Sequence, residues 1–188
     1  MRSYYMRLYL LRHGAAESSA HSGRDADRAL TQEGRDKVRS VVRRARAGGM
    51  WPTMILSSPY ARALETAQIA AKALGTDDEI LTSNAFIPEA SPEEAWAEIR
   101  THKTQSEILV ASHEPLCGAL TAFLLNSPTL AVDFRKSTLV CIDTGLHRPR
   151  RSRSAPARRA AVDAHSETRL IATPNRRWGR AEYASPIG

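Results

Sequence analysis

Three apolar runs, each too short for a helix and each stopping at a polar cluster, constrain this chain more than any other feature. Met6-Arg-Leu-Tyr-Leu-Leu11 stops at Arg12-His13-Gly14, Thr53-Met-Ile-Leu56 at Ser57-Ser58-Pro59, and Ile108-Leu-Val-Ala111 at Ser112-His113-Glu114-Pro115. Runs of this length between turn signals read as buried strands, and Gly14 allows a tight turn with close backbone approach. Residues 15–30 are small and polar and read as a loop. Thr31 then reads as an N-cap with Gln32 and Glu33 in the first turn; Val38, Val41, Val42 and Ala45 form one stripe, and Gly48-Gly49 ends the helix. Pro59 is expected to open a second helix as its first residue, with Tyr60, Leu64, Ala67, Ala71 and Leu74 on its apolar face and Gly75 closing it. A loop holding Phe86-Ile-Pro-Glu89 precedes a third helix from Pro92 to about Arg100. A fourth helix follows Pro115 to about Leu125, and Thr138–Ile142 is a fourth strand. Glu167–Thr173 is expected to return as an edge strand beside 138–142.

Strands that alternate with helices through short connections predict an α/β fold: a three-layer sandwich, its central sheet mostly parallel and flanked by helices. In such sheets ligands collect at the carboxyl ends of the strands. Here three strand ends carry Arg-His-Gly, Ser-Ser-Pro and Ser-His-Glu-Pro, so the polar chemistry converges on one edge.

Charge and composition remove several classes. The net charge of +7 is not spread over the chain. Residues 1–146 hold 17 Lys and Arg against 17 Asp and Glu, whereas residues 147–188 hold ten Arg against three acids. The basicity therefore belongs to the C-terminal segment, which removes the simplest argument for a nucleic-acid-binding fold. No apolar run approaches the roughly 18–20 residues of a membrane helix, and the N-terminus lacks the pattern of a signal peptide. Cys117 and Cys141 make no disulfide framework and read as reduced core residues of a cytoplasmic protein.

Arg12, His13, Arg62 and His113 are the residues that carry chemistry. Each guanidinium offers a planar fork of donors suited to phosphate oxygens and keeps its charge at any working pH. Arg62 falls in the first turn of a helix, where free N–H groups and the helix dipole favour an anion. A neutral imidazole can act as nucleophile while a second donates to the same group. Two Arg and two His around one point describe a phosphoryl-transfer pocket with no metal and no cofactor; carboxylates at ligand spacing and Cys clusters are both missing from the pattern. The remaining histidines, His21, His102, His147 and His165, have no such company and read as ordinary surface residues.

Leu8-Tyr-Leu-Leu-Arg-His-Gly14, Leu30-Thr-Gln-Glu-Gly34, Leu56-Ser-Ser-Pro-Tyr-Ala-Arg-Ala-Leu-Glu-Thr-Ala67 and Val110-Ala-Ser-His-Glu-Pro115 together resemble the ordered signatures of the histidine phosphatase superfamily, the phosphoglycerate mutase-like clan. The resemblance covers roughly residues 6–145. The compact size and the stretch Ile87-Pro-Glu-Ala-Ser-Pro92 are most similar to the short bacterial phosphohistidine phosphatases. It implies a catalytic domain over 1–146, and composition alone sets apart an Arg-rich excursion over 147–166 and a last strand with a frayed tail over 167–188. It further implies that His13 is the nucleophile that becomes a phosphohistidine, that Arg12 and Arg62 clamp the phosphate, and that His113 is the second pocket histidine. Glu89 stands where larger members place an acid–base carboxylate. Ser58 is expected near the pocket, where capping the following helix explains it equally well.

The substrate expected on these grounds is a phosphorylated protein, phosphohistidine above all, or a small phosphomonoester. Only 26 residues separate Arg62 from Glu89 and 23 separate Glu89 from His113, which leaves little chain for a lid. An open pocket favours hydrolysis over mutase chemistry. A different class of function would use Arg148-Pro-Arg-Arg-Ser-Arg-Ser-Ala-Pro-Ala-Arg-Arg159 as a tether for nucleic acid or an acidic partner. That stretch has no aromatic residue for base stacking and reads more simply as a solvated excursion. A non-catalytic phosphate-binding member is disfavoured because every pocket residue is present.

Overall fold

The computed structural model describes residues 5–76, 79–145 and 167–172. The Arg-rich stretch 147–166 and the tail beyond Ala172 lie outside the described residues. The elements run β1 (Tyr5–Arg12), a short 3-10 turn (Asp25–Asp27), α1 (Gln32–Ala47), β2 (Met54–Ser57), α2 (Ala61–Leu74), β3 (Ile80–Thr82), a second 3-10 turn (Asn84–Phe86), α3 (Pro92–Thr101), β4 (Glu107–Ser112), α4 (Leu116–Leu124), β5 (Leu139–Gly145) and β6 (Glu167–Ala172).

The strands form one six-stranded sheet in the order β3-β2-β4-β1-β5-β6. β1 pairs parallel with β4, and β2 parallel with both β4 and β3. β5 lies antiparallel to β1, and β6 antiparallel to β5 with Ile142 opposite Leu170. The parallel β1–β4 and β2–β4 pairings put the carboxyl ends of β1, β2 and β4 side by side.

Alternation along the central strands explains the layers. Leu8, Leu10, Ile108 and Val110 face one side and pack with Ala95, Ile99, Leu116 and Leu120 of α3 and α4. Tyr9, Leu11, Leu109 and Ala111 face the other side and pack with Val38, Val42, Ala67 and Leu74 of α1 and α2. Side chains that alternate at period two cover both faces only where helices lie on both, which makes the sandwich. Cys117 and Cys141 belong to opposite faces of the sheet and are both free thiols. Among the described residues no helix is long and apolar enough to cross a membrane.

Local signals act as their chemistry dictates. Thr31 caps α1 by accepting from the Gly34 N–H at 3.0 Å, and Ser91 with Glu94 forms a capping box on α3. Two expectations need correction. Pro59 does not begin α2: Tyr60 is the N-cap, Ala61 the first helical residue, and Pro59 stands just outside. The buried face of α2 is Ala63, Thr66, Ala67, Ala70, Ala71 and Leu74, so Leu64 lies off it and half-buried. Small residues carry that face because α2 packs closely against both the sheet and α1. The edge strand β3 was no part of the expected element set; at three residues beside only one neighbour, it is too brief to show periodicity.

Candidate active site

The carboxyl ends of β1, β2 and β4 are laced together by their own backbones. His13 N–H donates to the Ser112 carbonyl at 2.9 Å, and Ser58 N–H to the Ala111 carbonyl at 3.0 Å. The turn after β1 is held by close packing: a Cβ on Gly34 would lie 2.1 Å from the Ala15 carbonyl oxygen, so α1 must present a bare backbone there. Gly14 N–H donates to Thr66 Oγ1 at 3.2 Å, and Thr66 Oγ1 donates to the Arg62 carbonyl at 2.7 Å. One buried hydroxyl thus ties the β1 turn to α2.

These ties bring the sequence-predicted residues together. The His13 and His113 ring centroids are 5.0 Å apart, and one pocket of about 280 Å³ is lined by Arg12, His13, Arg62, His113 and Glu89 among others. His13, His113 and Arg62 are buried, Arg12 is half-buried, and Glu89 is exposed at the rim. His13 Nδ1 lies 2.7 Å from the Gly14 carbonyl oxygen. A carbonyl only accepts, so Nδ1 carries the proton and Nε2 keeps its lone pair. Burial, assisted by the charges of Arg62, Arg12 and Lys136, pulls His13 from 6.5 down to about 4, against the opposing bond to Gly14. His13 is therefore neutral over the physiological range. His113 is pushed down as well, first by burial and then by the charges of His13 and Arg62.

His113 Nε2 lies 2.8 Å from Ser58 Oγ, which also accepts from the Tyr60 N–H at 3.3 Å. Ser58 therefore fixes the His113 ring while holding the entry to α2. An Arg12 guanidinium N–H donates to the Phe134 carbonyl. Arg62 is gripped by the Asp25 carbonyl through Nη1 at 2.8 Å and by its carboxylate through Nη2 at 3.0 Å, beneath the Tyr60 ring at 5.0 Å. Among the described residues, the buried side-chain polar atoms without a partner are Arg12 Nε, Arg62 Nε, His113 Nδ1 and Ser137 Oγ. Buried polar groups are almost always paired, so unmatched nitrogens on Arg12, Arg62 and His113 in one pocket mark a place for an acceptor-rich guest.

Several lining residues carried no role in the sequence reading: Asp25, Arg28, Glu114 and Lys136. Asp25 and Arg28 pair at 2.7 Å on the first 3-10 turn, inside a stretch that reads only as a polar loop. Partial burial tends to raise the Asp25 carboxyl, but the Arg28 hydrogen bond and the Arg62 charge outweigh it and hold it below the usual range. Lys136 reaches the pocket from the turn before β5, where Ser137 has φ of 64° and its N–H donates to the His13 carbonyl at 3.1 Å. Nothing in the sequence around Lys136 signals that placement. Glu114 did have a signal, since it sits beside His113 in the motif itself.

The three-layer α/β sandwich, with helices on both faces of one mixed sheet, is phosphoglycerate mutase-like in fold. The sequence model of the histidine phosphatase superfamily (branch 1) matches residues 8–86, which include Arg12, His13 and Arg62. Among curated proteins, the chain is 29% identical over 130 residues to the phosphohistidine phosphatase SixA of Escherichia coli, covering 66% of this chain and 77% of that one. It is 26% identical over 175 residues to an uncharacterized protein of Picosynechococcus sp., covering 92% of this chain and 98% of that one. Among solved structures, the protein histidine phosphatase SixA complexed with tungstate superposes with a TM-score of 0.66 at 25% identity, over 74% of this chain and 89% of that one. Over residues 8–86 the chain is thus similar to the histidine phosphatase superfamily, and in sequence and fold it is similar to SixA phosphatases.

Proposed function

We propose that this protein is a phosphatase that removes a phosphoryl group through a phosphohistidine on His13, acting on phosphohistidine in a protein. The observation that carries the reading is the combination of a bare His13 Nε2 with unmatched buried nitrogens on Arg12, Arg62 and His113 in the same pocket. In the first step, His13 Nε2 attacks phosphorus in line and the bond to the leaving group breaks. Arg12, Arg62 and His113 stabilise the charge on the equatorial oxygens. In the second step, water attacks the phosphohistidine, inorganic phosphate departs, and the electron pair returns to His13. A pocket carboxylate handles the proton in each step; Glu89 is at the position the family resemblance assigns, with its Oε2 3.4 Å from the Tyr60 hydroxyl.

The substrate assignment rests on the SixA likeness and on a pocket whose Asp25, Glu89 and Lys136 are exposed at the rim, which admits a phosphorylated side chain on a large partner. Small phosphomonoesters form the second reading, favoured by the two carboxylates, Glu89 and Glu114, that line the pocket and suit a hydroxyl leaving group. A substrate panel without added metal tests both: a phosphohistidine protein, phosphohistidine peptides, p-nitrophenyl phosphate, sugar phosphates and phosphoglycerates. The highest kcat/KM is expected for the phosphohistidine protein, unchanged by a chelator. Turnover confined to one small ester transfers the assignment to the second reading, and no turnover of any of them overturns the phosphatase reading.

A further inference from the structure

We propose that Lys136 is a specificity-determining residue of this pocket, binding a carboxylate carried beside the phosphorylated side chain of a protein substrate; the assignment rests on the phosphatase reading. Lys136 stands at the tip of a tight turn, Arg135-Lys-Ser-Thr138, that the Thr138 N–H closes on the Arg135 carbonyl at 2.9 Å. The third residue, Ser137, has φ of 64°, a position where such a turn favours glycine. A side chain stays in that conformation only where its surroundings enforce it. Here β1 does so: Ser137 N–H donates to the His13 carbonyl at 3.1 Å and Arg12 N–H to the Thr138 carbonyl at 3.0 Å. The Arg12 guanidinium adds a bond to the carbonyl of Phe134, a residue wholly buried in the core. The turn is thus clamped to the segment that bears His13, and it delivers Lys136 to the wall of the same pocket.

The cations of the pocket differ in their partners. Arg28 and Arg62 both pair with the Asp25 carboxylate, at 2.7 and 3.0 Å, and Arg12 is held by a carbonyl. The unmatched Nε atoms of Arg12 and Arg62 are buried and suit the oxygens of a phosphoryl group. Lys136 is exposed, and among the described residues no carboxylate pairs with it. Glu89 accepts from the Tyr60 hydroxyl, Glu114 accepts from Gly118 N–H, and Asp133 pairs with Arg135. The Lys136 charge nonetheless reaches the site, since it helps to keep His13 neutral. An ammonium at the rim, beside a phosphoryl group already matched by two guanidiniums, is left for a second anion of the substrate. In an extended peptide, side chains two positions apart share a face at a spacing of about 6.6 Å. An acidic residue there sets its carboxylate beside the phosphorylated group.

Phosphohistidine peptides with Glu or Lys two positions from the phosphorylated residue, on either side, measure the preference. It is read as the ratio of kcat/KM for the two peptides within each variant, so any loss of folded protein cancels. The wild type should favour the Glu peptide by roughly two- to fivefold, the range of an exposed ion pair, and the preference should fade in about 1 M salt. Lys136→Gln should bring the ratio to about one, and Lys136→Glu should invert it, which a merely structural role would not do. Phosphoserine against phosphoethanolamine forms a second arm. A carboxylate preference that depends on Lys136 there and not with the peptides overturns the assignment to a protein substrate and transfers it to small esters. Ratios alike in wild type and Lys136→Glu, in both arms, overturn the role of Lys136 and leave the phosphatase reading intact. Absence of turnover with every substrate overturns both.

Discussion

Asp25 holds Arg62 by two separate groups, its backbone carbonyl at 2.8 Å and its carboxylate at 3.0 Å, and leaves the buried Nε of Arg62 unmatched. The guanidinium is thus fixed at its far end with its near edge free for an oxyanion. Asp25→Ala should lower kcat/KM by roughly three- to tenfold, a modest loss because the carboxylate is itself exposed and the carbonyl remains. Inhibition by inorganic phosphate, the product of the proposed reaction, should weaken in parallel. Equal inhibition in variant and wild type would mean that Arg62 needs no such anchor.

Neutral His13 sets the pH dependence. Its value of about 4 lies below the ordinary 6.5, so kcat/KM should persist down to about pH 4 and fall only as Nε2 protonates. The same shift acts on stability. Below pH 6.5 the unfolded chain binds a proton that the folded His13 refuses, so stability is full above that pH and declines as pH falls toward 4. The slope is about 1.4 kcal/mol per pH unit for such a residue. Urea midpoints of wild type and His13→Asn between pH 4 and 7 measure it; parallel curves would show that His13 titrates normally.

Much of this arrangement is legible in the sequence because strands and pocket residues share one cause. Arg12-His13, Ser58 and His113 each follow an apolar run, and the parallel pairing of β2, β4 and β1 brings those ends together. Thr31 is likewise readable, since its capping bond is local. What escapes depends on contacts distant in sequence. Asp25 meets Arg62 across 37 positions, and Lys136 reaches His13 only through the left-handed turn at Ser137. The α2 face is displaced from expectation because close helix–sheet packing selects Ala63 and Ala70 over the larger Leu64. β3 owes its existence to pairing with β2 rather than to its own three residues.

Ser58 fixes the His113 ring through a 2.8 Å contact inside the protein. Ser58→Ala removes it and leaves the buried Nε2 unpaired, costing about 1–3 kcal/mol of stability. Turnover should fall roughly tenfold as His113 loses its orientation. Full activity with a weakened fold would confine Ser58 to holding the entry to α2.

Gly34 is a packing requirement of the His13 turn. Because an added Cβ would lie 2.1 Å from the Ala15 carbonyl oxygen, Gly34→Ala must push α1 away from that turn. A loss of about 2–3 kcal/mol in chemical denaturation is expected, together with reduced turnover in the folded fraction. A variant of wild-type stability would show that the turn yields freely.

The most direct measurement is the site of phosphoryl attachment during turnover. Rapid quenching with labelled substrate, followed by peptide mapping, should find the label on His13 in an acid-labile, alkali-stable bond. His13→Ala should lose both label and turnover. Label on any other residue, or turnover that survives His13→Ala, would contradict the account.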